Sequence, residues 1–192
     1  MGLKRRTQWW VSLWGLGGVA ICVITGCASL QARRKAPVIL PRLVQVDAGL
    51  YRGGQPSQEG LARLREMGIK TIVSLRRHSQ VMEEERRLAE QLGMRWVNIP
   101  MWAWWRPSDQ QIQEFLKIAT DPTQRPVFVH CQQGWNRAGI MVAIYRVVYN
   151  GWTPRRAYTE ARQFGLVPWN VISRYLILHE ASRKFAVVAI HQ

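Results

Sequence analysis

The sequence predicts an α/β fold with a mainly parallel sheet flanked by helices. Three observations carry this expectation. Short apolar runs alternate along the chain with longer segments at helical spacing, as strands joined by crossover helices do. The run Pro126-Val127-Phe128-Val129 is apolar throughout, as a short buried strand is. At 192 residues, with 47% hydrophobic and 20% charged residues, the chain suits one packed domain plus an extension. No internal repeat is evident.

Folding is expected to begin near Val44 and to occupy residues 44–192. Leu61, Leu64 and Met67 place one apolar face on a helix from Ser57 to Met67, stopped by Gly68, and Ile69 to Leu75 follows as a strand. A second helix from Gln80 to Leu92 stops at Gly93, with Glu83, Glu84 and Glu85 read as a solvated face. Met94 to Ile99 is the next strand. Ser108-Asp109-Gln110-Gln111 has the form of a capping box, with Ser108 as N-cap and Gln111 three residues on, opening a helix to about Ala119. Val127 to His130 forms another strand. Helices are then expected near residues 138–149, 154–163 and 169–184.

The most informative segment joins that strand to the helix behind it. His130-Cys131-Gln132-Gln133-Gly134-Trp135-Asn136-Arg137-Ala138-Gly139 sets a cysteine six positions before an arginine, in a loop feeding a helix N-terminus. Such a loop points backbone N–H groups inward, and the helix dipole adds partial positive charge, so a phosphate can bind there. The same field, with a guanidinium nearby, favours a thiolate. Cys131 is therefore the candidate nucleophile. Arg137 offers a planar fork that takes two phosphate oxygens at once, which lysine cannot match. Gly134 lets the loop turn with positive φ. Gln132, Gln133, Gly134, Trp135, Asn136 and Ala138 complete the expected substrate cradle, with His130 at its base. The loop is expected at the carboxyl end of a strand, where such sheets bind ligands.

This segment resembles the signature of the protein tyrosine and dual-specificity phosphatases, H-C-x-x-G-x-x-R followed by Ser or Thr. Upstream, Leu50-Tyr51-Arg52-Gly53-Gly54-Gln55-Pro56-Ser57 and its helix, then Ile69-Lys70-Thr71-Ile72-Val73-Ser74-Leu75-Arg76, look like the first strand, first helix and second strand of bacterial dual-specificity-like phosphatases. The resemblance covers roughly Val44 to Ala181. It implies a cysteine phosphatase fold, a phosphocysteine intermediate, His130 orienting the loop, and no metal or other cofactor.

The chain departs from that pattern in its chemical helpers. The hydroxyl that follows the arginine in the family, and donates to the sulfur, is replaced by Ala138; the residue before the arginine, often Asp in related bacterial sequences, is Asn136. The family's general acid is an aspartate on the loop after the preceding strand. Between Glu90 and Asp109 there is no carboxylate, so Asp109 is the first candidate, at a helix start where the dipole alone would also favour it. The loop itself reads Pro100-Met101-Trp102-Ala103-Trp104-Trp105-Arg106-Pro107. Trp102, Trp104, Trp105 and Trp135 suit a cleft wall, a stacking surface for an aromatic phosphoester, a lipid interface or plain packing. The resemblance implies hydrolysis of a phosphomonoester on a phosphorylated protein, phosphoinositide or inositol phosphate. A degenerate domain that binds a phosphorylated ligand with little turnover is the rival. A sulfurtransferase or arsenate reductase fits less well, because partner cysteines are lacking.

At the N-terminus, Lys4-Arg5-Arg6 precedes an apolar stretch from Trp9 to Ile24, a charged region and a hydrophobic core too short for a helix that spans a membrane in roughly 20 residues. Ile24-Thr25-Gly26-Cys27 resembles the lipobox of bacterial lipoproteins. That implies a signal peptide over residues 1–26, lipidation of Cys27, and an exported, membrane-anchored protein on the periplasmic or cell-surface side; a single N-terminal transmembrane anchor is the alternative. Residues 27–43, with Arg33-Arg34-Lys35 and two prolines, then form the lipidated end and its tether. Of the three cysteines, Cys22 falls in the signal and Cys27 would be a thioether, so Cys131 has no partner for a disulfide. A net charge of +15 favours anionic partners, either phosphorylated substrates or anionic lipid around the anchor. No motif for nucleic acid accompanies it.

Overall fold

A computed structural model describes residues 38–103, 105–167 and 171–185. The signal segment, Cys27, the tether up to residue 37, Trp104 and the start of the last helix at Trp169 lie outside the described residues. Among these residues one sheet forms from β1 (Val44–Asp47), β2 (Leu50–Gly53), β3 (Thr71–Ser74), β4 (Arg95–Asn98) and β5 (Val127–His130). Its order is β1-β2-β5-β3-β4, with only the β1–β2 hairpin antiparallel. The helices are α1 (Gln58–Glu66), α2 (Gln80–Gln91), α3 (Asp109–Thr120), α4 (Asn136–Val148), α5 (Pro154–Gln163) and α6 (Val171–Phe185).

Strands β3 and β5 lie inside the sheet and every residue of both is buried. Their inner residues Ile72, Val73, Val127, Phe128 and Val129 are accordingly apolar, as in inner parallel strands, while Thr71, Ser74 and His130 are buried polar residues at the strand ends. Alternate side chains then serve opposite layers. Phe128 and Ile72 pack with Leu61 and Leu64 of α1 and Ala89 of α2, whereas Val127, Val129 and Val73 pack with α3, α4, α5 and α6 through Phe115, Met141, Ala157 and Leu178. Helices thus cover both faces.

Local chemistry fixes the helix starts. Ser57 Oγ accepts from Gly60 N–H, and Thr153 caps α5 with Pro154 in its first turn. The Ser108–Gln111 capping box is reciprocal, with Gln111 N–H donating to Ser108 Oγ at 3.2 Å and Ser108 N–H to Gln111 Oε1 at 2.8 Å. Helix α4 begins at Asn136, two residues ahead of the expected Ala138, and no side chain caps it at Trp135. This helix start follows directly on the cradle loop.

Candidate active site

The cradle leaves the carboxyl end of β5, between Gly53 of β2 and Ser74 of β3, both in register with His130. Parallel strands connected around a central one leave a crevice at that point. The loop is then braced from outside. Gln55 N–H donates to Gln132 O (3.2 Å), Arg42 Nη1 to Gln133 O (3.3 Å) and Arg52 Nη2 to Gly134 O (2.7 Å). With three successive carbonyls bonded to Gln55, Arg42 and Arg52, the intervening N–H groups are left to face the other way, as an anion-binding nest requires. One of them, Gly134 N–H, donates to Cys131 Sγ at 3.2 Å. Gly134 has φ 79°, and a Cβ there would lie 2.7 Å from the Gly53 carbonyl carbon, so both the turn and the close approach require glycine.

Cys131 is a free thiol with only 3% of its surface exposed. Arg137 lies six positions on, in the first turn of α4, half-buried, with Nη1 donating to Leu75 O (3.1 Å) and Met101 O (3.4 Å). These bonds pin the guanidinium between the end of β3 and the loop after β4. Its Nε and Nη2 have no protein partner among the described residues, which leaves the edge of the fork for a ligand.

Beneath the cradle, His130 is fully buried, stacked on Phe128, and its Nε2 lies 2.9 Å from Glu85 Oε1. Glu85 also accepts from Trp96 Nε1 (2.7 Å) and from Gln55 Nε2. Burial pushes its carboxyl up, but pairing with His130 and the donated hydrogen bonds outweigh that and hold it below the usual carboxylate range. The expectation of a solvated Glu83–Glu85 face is corrected here. Glu84 is exposed and Glu83 is half-exposed beside Arg86, but Glu85 shares the inward face of α2 with Met82 and Ala89 and is 4% exposed. The spacing i, i+3, i+7 over residues 82, 85 and 89 is the signal that could have found it.

Gln55 continues the network, accepting from Arg76 Nη1 at 2.7 Å. Burial and the neighbouring Arg137 guanidinium push Arg76 below its ordinary range, partly offset by Glu85 and Cys131. A second cation therefore stands at the cradle, as does Arg52 at its outer wall. Sequence reasoning singled out neither.

The other expected site residues are distributed as follows. Gln132 and Gln133 are exposed on the loop. Asn136 accepts from Val167 N–H at 3.1 Å and so ties the cradle to the segment after α5. Ala138 is buried in the same apolar cluster as Cys131. Asp109 stands at the first position of α3, half-exposed, with Lys184 Nζ 2.9 Å away, and makes no contact with a cradle residue among the described residues. Trp102 is 56% exposed under the Arg77 guanidinium (3.7 Å), Trp105 is 75% exposed, and Trp135 lies instead beneath Arg42 (4.3 Å).

A cysteine and an arginine six positions apart, wrapped around the N-terminus of a helix on a mainly parallel sheet, define the cysteine phosphatase fold. Agreement with a solved structure extends this to most of the chain. Pseudomonas aeruginosa TpbA, in complex with pTyr, superposes with a TM-score of 0.65 at 24% identity, over 83% of this chain and 96% of that one. The family follows from the sequence: the chain belongs to the family described as DSP-PTPase phosphatase fused to NAD+ kinase, whose model matches residues 42–166. Among its relatives, the dual specificity protein phosphatase TpbA of P. aeruginosa is 30% identical over 124 residues, 64% of this chain and 54% of TpbA. The inositol diphosphatase DSP2 of Oryza sativa subsp. japonica is 29% identical over 143 residues, 67% of this chain and 65% of DSP2. The chain thus spans between half and two thirds of the length of these relatives.

Proposed function

We propose that the chain hydrolyses a phosphomonoester through a phosphocysteine. The observation that carries this reading is Cys131 Sγ, held by Gly134 N–H at 3.2 Å inside a loop whose carbonyls are turned away from it. Sγ attacks phosphorus, and the S–P bond forms as the P–O bond to the leaving group breaks. Loop N–H groups and Arg137 hold the equatorial oxygens. Water then attacks phosphorus, the S–P bond breaks, and inorganic phosphate leaves with the thiolate restored. The names of the relatives support a phosphorylated protein or an inositol phosphate as substrate, and a phosphoinositide is a further candidate. Arg76, braced by Gln55 beside Arg137, favours the more highly phosphorylated members of that set.

Ala138 supplies no hydroxyl to the sulfur as it leaves. Hydrolysis of the phosphocysteine is therefore expected to limit turnover, so rapid mixing with an aryl phosphate should release a burst of product close to one equivalent before the steady state. One missing hydrogen bond is worth roughly 1.4 kcal/mol, so Ala138→Thr should raise the steady rate about tenfold. A linear trace, or no gain in the variant, rejects this limiting step.

The proton for the leaving oxygen is proposed to come from Asp109, the first carboxylate after the tryptophan loop, which must part from Lys184 to reach the cradle. Asp109→Asn should then slow an alkyl phosphate by about 10²-fold and leave a nitrophenyl phosphate nearly unchanged, since only the poor leaving group needs the acid. Equal rates for both substrates would reduce Asp109 to a helix-end residue paired with Lys184.

We also propose that Cys27 is lipidated and holds the domain at a membrane, where exposed Trp102 and Trp105 suit an interface. Cys27→Ser should move the protein from the membrane to the soluble fraction of expressing cells. A variant that stays with the membrane points to the uncleaved anchor instead.

A further inference from the structure

A concavity of about 400 Å³ adjoins the cradle loop at Gly134 and Trp135 without including Cys131. Trp135 and Phe164 supply aromatic walls, and each carries a guanidinium: Arg42 lies 4.3 Å from the Trp135 ring centroid and Arg52 lies 5.3 Å from that of Phe164. Gln163 adds an amide. No residue lining the concavity is acidic.

The two arginines are unusual in complementary ways. Arg42 holds φ at 51°, a strained conformation for a residue with a side chain, and such strain tends to persist where a site needs it. Arg52 is 2% exposed, and its Nη1 is enclosed with no hydrogen-bond partner among the described residues. Burial pushes Arg52 below its ordinary range, offset in part by Cys131 and Glu160. Glu160 is already committed to Arg146, with bonds of 2.8 and 3.1 Å. Two cations are thus gathered around aromatic faces with no anion of their own.

We infer that this concavity is a second anion site, distinct from the Cys131 cradle, that takes a phosphate or carboxylate carried on a flat ring. The ring packs against Phe164, the more exposed wall, and the anion meets Arg42 at the mouth, drawn from behind by the buried charge of Arg52. Occupancy is felt in the cradle through the Arg52 bond to Gly134 O and through Trp135, which opens α4. The inference goes beyond the cradle reading and stands even if the cradle binds nothing.

The test uses the full chain with Cys131→Ser, kept in a neutral detergent and titrated calorimetrically with phenyl phosphate. Two sites are expected. Adding Arg137→Ala should remove one, and adding Arg42→Ala in its place should weaken the other by about tenfold or more, with Phe164→Ser as an independent second variant. A single site that Arg137→Ala abolishes, or a second site indifferent to both Arg42→Ala and Phe164→Ser, overturns the proposal. A single site lost with Arg42→Ala but kept with Arg137→Ala supports it and rejects the cradle reading instead.

Discussion

Replacing Cys131 with serine is expected to lower the turnover of an aryl phosphate by about 10⁴-fold or more. The reason is chemical, because the cradle would remain. Gly134 N–H, 3.2 Å from Sγ, can donate to a serine oxygen as well, and the outward braces on Gln132, Gln133 and Gly134 do not involve the thiol. What is lost is the attacking group, since a hydroxyl with no neighbouring base stays protonated at neutral pH. The variant should bind inorganic phosphate with wild-type stoichiometry at the cradle while showing neither burst nor steady release. Retention of more than a tenth of the wild-type rate would mean that another group carries the reaction.

Arg137→Lys is the second large effect. Its guanidinium does two things at once: Nη1 bridges Leu75 O and Met101 O, and the remaining N–H groups are left for two phosphate oxygens. An ammonium is a point donor and cannot keep the bridge and present a parallel pair. Charge is preserved, so the loss isolates geometry. We expect kcat/KM to fall by about 10³-fold, and stability by no more than about 1–2 kcal/mol for the two carbonyl bonds. A loss below tenfold would show that charge alone suffices and that the fork is not used.

Much of this site is legible in the sequence because it is written in local chemistry. The capping box at Ser108, the stop at Gly93, the buried strand before His130 and the six-residue step from Cys131 to Arg137 are all short-range patterns. What escaped is non-local. Arg52 reaches Gly134 across 82 positions, and nothing in Leu50-Tyr51-Arg52 says that its arginine will hold a loop carbonyl. Arg76 gains its place only because β3 lies beside β5. Glu85 was hidden in a run of three glutamates, where composition says solvent and only the phase of the helix says core. Helix α4 starts two residues before the apolar run from Ala138, because Asn136 and Arg137 carry no apolar signal although they belong to its first turn.

Glu85 belongs to α2, yet its donors come from the segment after β2, from β4 and from β5. Fraying of the edge strand β4 would carry Trp96 away from a carboxylate that is only 4% exposed, leaving a buried charge short of one donor. The sheet edge and the floor of the cradle therefore open as one cooperative unit. Amide exchange along β4 and around His130 should share a single protection level, and the edge of this sheet is kept closed by the same charge that steadies its reactive loop.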